Sequence, residues 1–251
     1  MSVTRAEVCV AACADVWADA GEVLVSPIGI VPGVAARLAR ATSAPQLLLS
    51  DGEAMLGAGL WPFGESPPVI EGWLPYRNVF ELLWSGKRHV MMMPSQIDRY
   101  GNANISSIGP DYHRPDVQLL GVRGAPGNTV NHPTSYWLPR HDARAFVPRV
   151  DMVSGVGYDS AAAAGPAAER FLDLRRVVTN LAVLDFHGPG HAMRIVSLHP
   201  GVERAEVEAA TGFELAGDDA PPQSRVPSEE ELELIRDVID PADFRAREVA
   251  E

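Results

Sequence analysis

The sequence of 251 residues lacks the features that mark several large classes of protein. It has two cysteines, Cys9 and Cys13, too few for a disulfide framework and suited to a reducing cytoplasm. Four positions apart in a segment of helical spacing, they are interpreted as small buried residues on one helix face rather than as half a metal site or a redox pair. No run of 18 apolar residues occurs, so no transmembrane helix is expected. Glu7 and Asp15 interrupt the apolar stretch near the N-terminus, which is unlike a secretory signal, so we expect a cytoplasmic protein.

Basic clusters and the common catalytic motifs are also missing. The 33 acidic residues outnumber 21 basic ones, which gives a net charge of −12, and no basic patch suited to nucleic acid is present. The sequence contains no GxSxG turn of a serine hydrolase and no GK[ST] phosphate loop. His187 and His191 are four apart, but the Gly-Pro-Gly between them breaks any helix. We therefore predict neither a nucleic-acid partner nor a bound metal.

The pattern of apolar residues predicts a chain in which strands alternate with helices. Residues 5–19 show helical spacing after a capping-box sequence that begins at Thr4. Short apolar strands at 22–25 and 47–49 flank a second helix at 34–40, an order typical of a parallel sheet. Further elements are strands at 89–93, 118–122, 177–186 and 193–198, a helix at 229–239 and an exposed loop at 160–168. With 46% apolar and 22% charged residues, the chain is predicted to form a single α/β domain over 1–251.

Two carboxylates follow the predicted strand at 47–49. The turn Ser50-Asp51-Gly52-Glu53 stands at the carboxyl end of that strand, where ligand sites of open α/β sheets gather. Asp51 and Glu53 could supply a nucleophile or a general base, and they are the candidate catalytic residues. A solvated turn in which Asp51 caps the next helix is the alternative that the residues themselves leave open.

A glycine-containing loop, Gly121–Asn128, is the second candidate. Gly124 and Gly127 permit close approach of the backbone, and such a loop can aim N–H groups at an oxyanion. Arg123 is a fixed cation that can bind a carboxylate through two parallel hydrogen bonds. His132 lies just beyond the loop and can line a pocket. An ordinary glycine loop remains possible on spacing alone.

A third segment, Asp98–Asn104, is rich in turn-forming residues. Asn and Gly adopt left-handed backbone conformations, and Asn side chains can hold buried turns. We interpret this segment as structural.

The order and spacing of these motifs resemble the β subunit of class I coenzyme A transferases, the glutaconate and 3-oxoacid CoA-transferase group, over roughly residues 5–245. The turn at 50–53 falls where that family has Ser-Glu-Asn-Gly, residues 96–102 resemble a turn of the same type, and 121–128 fall at its glycine-rich loop near the thioester. The segments that resemble its C-terminal signature are 177–186, 199–202 and 211–214. The resemblance implies a CoA-transferase-like fold, in which a central, largely parallel sheet is flanked by helices. It also implies that CoA enters as part of a thioester substrate, with no tightly bound cofactor.

One position departs from the family pattern. The transferases have a glutamate at the first acidic position of the turn, where it attacks the acyl-CoA and forms an enzyme-bound thioester, whereas this sequence has Asp51. Aspartate is one methylene shorter, which withdraws the carboxylate by about 1.5 Å. A misplacement of about 1 Å can lower a rate about a hundredfold. Glu53 stands two positions later, where its side chain can point elsewhere, so the departure weighs against transferase chemistry.

The motifs are most similar to a narrower subgroup of this family, the β subunits of actinobacterial hydrolases that open a steroid ring of a CoA thioester together with an α subunit. That resemblance implies a heteromeric, α2β2 hydrolase acting on carbon–carbon bonds, whose main catalytic carboxylate comes from the α subunit. This chain would supply Arg123 for a substrate carboxylate and backbone donors near Gly124 and Ala125, with Asn128 and His132 also at the substrate. No residues for binding CoA itself are identified.

Two other functions remain as alternatives. One is a true CoA transferase subunit that uses Asp51 or Glu53 as nucleophile, and the other is a non-catalytic structural partner of an active α subunit. All three functions require that α subunit. The stretch 60–84 is either core or an interface with aromatic anchors, and its large apolar side chains are Trp61, Phe63, Trp73, Leu74, Tyr76 and Trp84.

Overall fold

The computed structural model describes residues 2–18, 20–50, 55–85 and 87–249. The chain clusters into two compact units, the first made of Met1–Met92 with Ser224–Glu251 and the second of Met93–Gln223. The prediction of a single domain over 1–251 stays a prediction. Among the described residues, no helix is long and apolar enough to cross a membrane.

The helices and strands of the described residues have the following bounds. The helices are α1 (Arg5–Asp15), α2 (Ile30–Ala41), α3 (Tyr76–Ser85), α4 (Ala125–Asn131), α5 (Tyr158–Ala164), α6 (Pro166–Glu169), α7 (Arg204–Ala209) and α8 (Glu229–Glu233). A π-helical turn, Leu234–Ile239, continues α8, and 3-10 turns occupy Pro189–His191 and Phe244–Arg247. The strands are β1 (Leu24–Pro27), β2 (Leu49–Ser50), β3 (Met55–Ala58), β4 (Val69–Trp73), β5 (Arg88–Met92), β6 (Gln96–Ile97), β7 (Ala103–Asn104), β8 (Ser107–Ile108), β9 (Val117–Gln118), β10 (Pro133–Leu138), β11 (Asp173–Thr179), β12 (Ala182–Asp185) and β13 (Arg194–Leu198).

The first helix of unit one starts where its capping sequence predicts. The Glu7 N–H donates to the Thr4 hydroxyl at 3.3 Å, and the Thr4 N–H donates to the Glu7 carboxylate at 2.9 Å. The helix ends at Asp15, four residues before the predicted end. Cys9 and Cys13 are both buried on α1, and burial raises the pKa of the Cys9 thiol to about 12. Their interpretation as small buried residues is confirmed.

Unit one contains the predicted strand, helix and strand. They are β1, α2 and β2, and a parallel bridge joins Leu24 to Leu48 just before β2. β1 also pairs in parallel with β5. The helix begins at Ile30 rather than at the predicted Val34, so that Gly33 lies inside it. A Cβ at Gly33 would lie 2.4 Å from the Phe63 ring, so the ring packs on the helix only because this residue is glycine. At the helix start, the N–H groups of Ile30 and Val31 donate to the Glu248 carboxylate, at 3.2 and 2.7 Å.

A separate antiparallel sheet in unit one has the order β2-β3-β4. Ser50 pairs with Leu56, and Met55 pairs with Trp73. Residues 51–54 form the connection between β2 and β3 in sequence. The candidate catalytic residues Asp51 and Glu53 are part of this connection and lie outside the described residues.

Unit two contains the parallel pair β10 and β11, to which β12 and β13 add in antiparallel order. The predicted strand at 177–186 is wrong as one strand, because the chain reverses at Asn180 and Leu181. The Thr179 hydroxyl accepts hydrogen bonds from the N–H groups of Leu181 and Ala182, each at 3.1 Å, and holds this reversal. The α/β class is confirmed, with parallel and antiparallel pairs in one fold.

Two other predictions in unit two are wrong. The strand predicted at 118–122 is reduced to β9, Val117–Gln118, because the following residues run into the left-handed turn at Gly121. The loop predicted at 160–168 is helical, since its alanines form α5 and α6 on either side of Gly165.

Candidate functional site

The glycine loop of unit two is a left-handed turn that leads into a short helix. Gly121 has φ 89°, and Arg123 has φ 47°, a backbone conformation that few residues with a Cβ adopt. The Ala125 N–H donates to the Val122 carbonyl at 2.9 Å and closes the turn. Gly124 then precedes α4 as its N-cap residue. The turn places the exposed Arg123 at the entrance of the helix.

Helix α4 is held from inside the unit by a residue that the sequence did not single out. Thr129 is fully buried, and its hydroxyl donates to the Ala125 carbonyl at 3.3 Å. The same oxygen accepts a hydrogen bond from the Val156 N–H at 3.0 Å. Because Thr129 ties the first turn of α4 to a second segment, the position of the preceding loop is fixed by packing rather than by the glycines alone.

The predicted substrate-binding residues divide by exposure. Arg123 is exposed and Gly124 is half-buried, whereas Ala125, Asn128 and His132 are buried. The Ala125 N–H, one of the expected oxyanion donors, is engaged by the Val122 carbonyl in this conformation. The structure therefore brings these five residues together on one turn and helix, with Arg123 best placed to meet a ligand from outside. Their roles in substrate binding stay predictions.

The loop that precedes Arg123 is anchored by a buried amide. The Asn104 side-chain nitrogen donates to the Gln96 side chain and to the Ser107 carbonyl, each at 2.7 Å, while its oxygen accepts from the Ser106 N–H at 2.9 Å. The Gly121 N–H donates to the carbonyl of the residue that follows Asn104, at 3.0 Å. Asn104 is fully buried. These contacts connect the start of the glycine loop to a rigid polar cluster.

The turn at Asp98–Asn104 has the structural role that was predicted for it. One Asp98 carboxylate oxygen accepts hydrogen bonds from the N–H groups of Tyr100 and Asn102, and the other accepts from the Asn102 amide at 2.9 Å. The Asn102 oxygen accepts from the Gly157 N–H at 2.8 Å. Burial raises the pKa of Asp98 above its ordinary value, although these hydrogen bonds oppose the shift. The turn is closed upon itself and leaves no side chain of the pair directed at a ligand.

The buried His141 of unit two serves packing. His141 stacks on Phe146 with ring centroids 3.8 Å apart, and its ring nitrogens meet the hydroxyls of Thr179 and Thr211. Burial lowers the pKa of His141 to about 3, so the ring is neutral at physiological pH. Among residues 2–18, 20–50, 55–85 and 87–249, no group of three or more His, Cys, Asp or Glu is arranged to hold a metal ion.

Comparisons with known proteins identify close relatives. No family model matches the chain. It is 54% identical, over 98% of both chains, to the "Cholesterol ring-cleaving hydrolase IpdB subunit" of Mycobacterium tuberculosis strain H37Rv. It is 52% identical to a chain of the crystal structure of Rhodococcus jostii RHA1 IpdAB, with a TM-score of 0.95 and complete coverage of both chains. Glutaconate coenzyme A-transferase from Acidaminococcus fermentans matches at 22% identity over 96% of both chains, with a TM-score of 0.81. The predicted CoA-transferase-like fold is confirmed.

Proposed function

Because the chain belongs to the family of IpdB subunits of cholesterol ring-cleaving hydrolases, we propose that it is the β subunit of a heteromeric CoA-ester hydrolase. The complex cleaves a ring carbon–carbon bond of a cyclic β-keto acyl-CoA in steroid catabolism. The observation that carries this proposal is identity of 54% over 98% of the chain to a subunit of that description. We place the complex in the cytoplasm, as an α2β2 assembly with an IpdA-like α subunit.

The reaction needs a base and hydrogen-bond donors but no tightly bound cofactor. A base removes a proton from water, and the oxygen attacks the ring ketone. The ring carbon–carbon bond then breaks, and its electron pair is delocalised into the thioester as an enolate. Protonation of the enolate carbon completes the addition of one water and leaves a new carboxylic acid. Donors for the two developing oxyanions lower the barrier, and a nucleophilic glutamate on this chain is not required.

Arg123 is the residue of this chain that we assign to the substrate. The net charge of −12 repels an anionic CoA ester, so a specific cation is needed where the substrate binds. Arg123 is exposed, and the buried Thr129 holds the helix that follows its turn. A guanidinium pairs with a carboxylate through two parallel hydrogen bonds.

Replacing this guanidinium tests the assignment. Arg123→Ala keeps a Cβ at the same positive φ, so the strain energy of this backbone conformation stays nearly unchanged. Loss of a charge-assisted pair of about 1.5–3 kcal/mol corresponds to a rise of about 10- to 150-fold in KM. Arg114→Ala removes another exposed arginine of the same unit and serves as control. Normal kinetics without Arg123 would refute its role.

The reaction class is tested by mass spectrometry of the co-purified subunits. Incubation with a cyclic β-keto acyl-CoA should give a ring-opened, water-added CoA ester and no covalent adduct on either subunit. A CoA adduct that maps to Asp51 or Glu53 would establish the transferase alternative instead. Turnover that persists without this chain would leave it no role in the hydrolysis.

A further inference from the structure

Strand β4 and helix α3 carry an exposed apolar surface. Trp84 is 80% exposed and Trp73 is 68% exposed, values unusual for tryptophan in a soluble protein. We call this surface the aromatic face, and its members are Val69, Ile70, Trp73, Tyr76, Phe80 and Trp84. By contrast, Trp61 from the same stretch is buried in the core of unit one. The sequence left core and interface open for this stretch, and the structure buries Trp61 but leaves Trp73 and Trp84 exposed.

The spacing on α3 aligns the three aromatic residues of that helix. Tyr76, Phe80 and Trp84 follow each other at intervals of four residues and so lie on one side of the helix. The rings of Tyr76 and Phe80 meet edge to face, with centroids 5.5 Å apart. All ten residues of α3 are described, and Leu83 is the one among them that is buried. A ten-residue helix is marginal in water without tertiary packing, so a surface placed against its exposed aromatic residues stabilises it.

The size of the face suits a protein partner rather than a small ligand. At roughly 150–250 Å² for each aromatic side chain, the four aromatic residues together expose about 600 Å². A standard protein–protein interface buries about 800 Å² on each partner, and apolar patches of several hundred Å² mark interaction sites. The charged side chains of Glu71, Arg77 and Glu81 alternate with the aromatic ones and are exposed. An apolar centre with a polar border is the usual composition of such an interface.

The position of the face indicates which partner it binds. Trp73 pairs with Met55 across β4 and β3, and Met55 is the first residue after the acidic turn 51–54. A protein that covers Trp73 therefore also meets the start of β3, the strand that follows the Asp51 and Glu53 segment in sequence. The proposed function requires an α subunit to complete the catalytic site, whereas a second copy of this chain adds no group that the reaction lacks.

We propose that the α subunit docks on the aromatic face and that Trp73 and Trp84 are its main anchors. The inference rests on the two-subunit assembly of the proposed function but not on its reaction. Assembly is therefore the measurement, because it reports on docking whether or not the complex opens a steroid ring.

The test compares two tyrosines of equal exposure in the co-expressed complex of both full chains. Tyr76 on the aromatic face is 61% exposed, and Tyr112 in unit two is 59% exposed. Native mass spectrometry should show loss of the α subunit from Tyr76→Glu and an intact assembly for Tyr112→Glu. For Trp84→Ala, we expect the Kd for the α subunit to rise about 30-fold or more, the usual effect of truncating a central aromatic anchor.

Two results would overturn the proposal. If Tyr76→Glu splits the assembly into αβ pairs that still contain both subunits, the face joins copies of this chain. If neither Tyr76→Glu nor Trp84→Ala changes the assembly, the aromatic face is not an interface. Should the glutamate variant fail to fold, Trp84→p-benzoylphenylalanine keeps the aromatic character, and its photochemical cross-link must form to the α subunit. A cross-link to a second copy of this chain would refute the assignment.

Discussion

Replacing Glu7 by glutamine is expected to destabilise unit one by about 3 kcal/mol, because it removes the centre of a buried ion network. Arg236 donates to both Glu7 carboxylate oxygens, at 2.7 and 2.9 Å, and Arg245 donates to one of them at 3.2 Å. Arg245 also pairs with Asp240 at 3.0 Å. Glu7 is fully buried, and this network joins α1 to the end of the chain.

The magnitude follows from what the substitution leaves behind. Removing one partner of a buried ion pair typically costs about 3–5 kcal/mol, since the remaining charge stays desolvated. Arg245 keeps Asp240 and Arg236 is partly exposed, so the lower end of that range applies. For a chain of this size, about 3 kcal/mol lowers the melting temperature by about 6–12 °C.

A matched carboxylate on the same helix is the control. Asp15 pairs with Arg225 at 2.7 Å, but both side chains are more than two fifths exposed. An exposed pair contributes about 0–1 kcal/mol, so Asp15→Asn should lower the melting temperature by less than about 4 °C. Calorimetry of the purified complex, at one protein concentration for all variants, measures both changes.

The pH dependence gives a second test of Glu7. Burial by itself raises the pKa of its carboxyl, but the Arg236 hydrogen bond, the Thr4 N–H and the two arginine charges outweigh it and lower the pKa below its ordinary 4.5. A lowered pKa in the folded chain means that the stabilisation is complete above about pH 4.5 and is lost as the pH falls through the folded value. The difference between the native chain and Glu7→Gln should therefore shrink below pH 4.5. The reasoning would be refuted if Glu7→Gln and Asp15→Asn lowered the melting temperature equally. It would also be refuted if the difference in stability between the native chain and Glu7→Gln did not change with pH.

Buried thiol, glycine and imidazole groups allow three further measurements. The raised pKa of Cys9 predicts that iodoacetamide leaves it unmodified in the native complex at pH 8, and rapid labelling seen by mass spectrometry would contradict this. Gly33→Ala places a Cβ 2.4 Å from Phe63 and should cost about 1–3 kcal/mol in a melting experiment, whereas Gly72→Ala meets its nearest atom at 3.5 Å and should cost less. The pKa of His141, lowered by burial from 6.5 to about 3, predicts neutral-form ring resonances at pH 5 by NMR. In the unfolded chain the His141 side chain is protonated below about pH 6.5, whereas in the folded chain it stays neutral at that pH. This residue therefore makes the fold less stable as the pH falls below about 6.5.

Features that depend on neighbouring residues were predictable from the sequence. The capping box at Thr4 and Glu7 closes within four residues, so its pattern alone locates the start of α1. Burial of Cys9 and Cys13 follows from the helical spacing around them. The glycine loop that ends at Asn128 was recognised for the same reason, since left-handed turns depend on the residues that form them.

Contacts between distant segments account for what the sequence did not show. The chain reverses at Asn180 because Thr179 accepts two N–H groups across the turn, and an unbroken apolar run gives no sign of that reversal. Thr129 was not singled out for the site, because its partner, the Val156 N–H, comes together with it only in the folded unit.

By itself, the sequence determined the α/β class, the family resemblance and the local turns, because each depends on residue types at short spacing. The tertiary structure decided which of the aromatic residues at 60–84 are core and which are surface. Trp61 and Trp84 have the same side chain, and only the packing of other elements around the first buries it. Exposure depends on what the rest of the chain covers, and for Trp84 none of the described residues covers more than a fifth of the side chain.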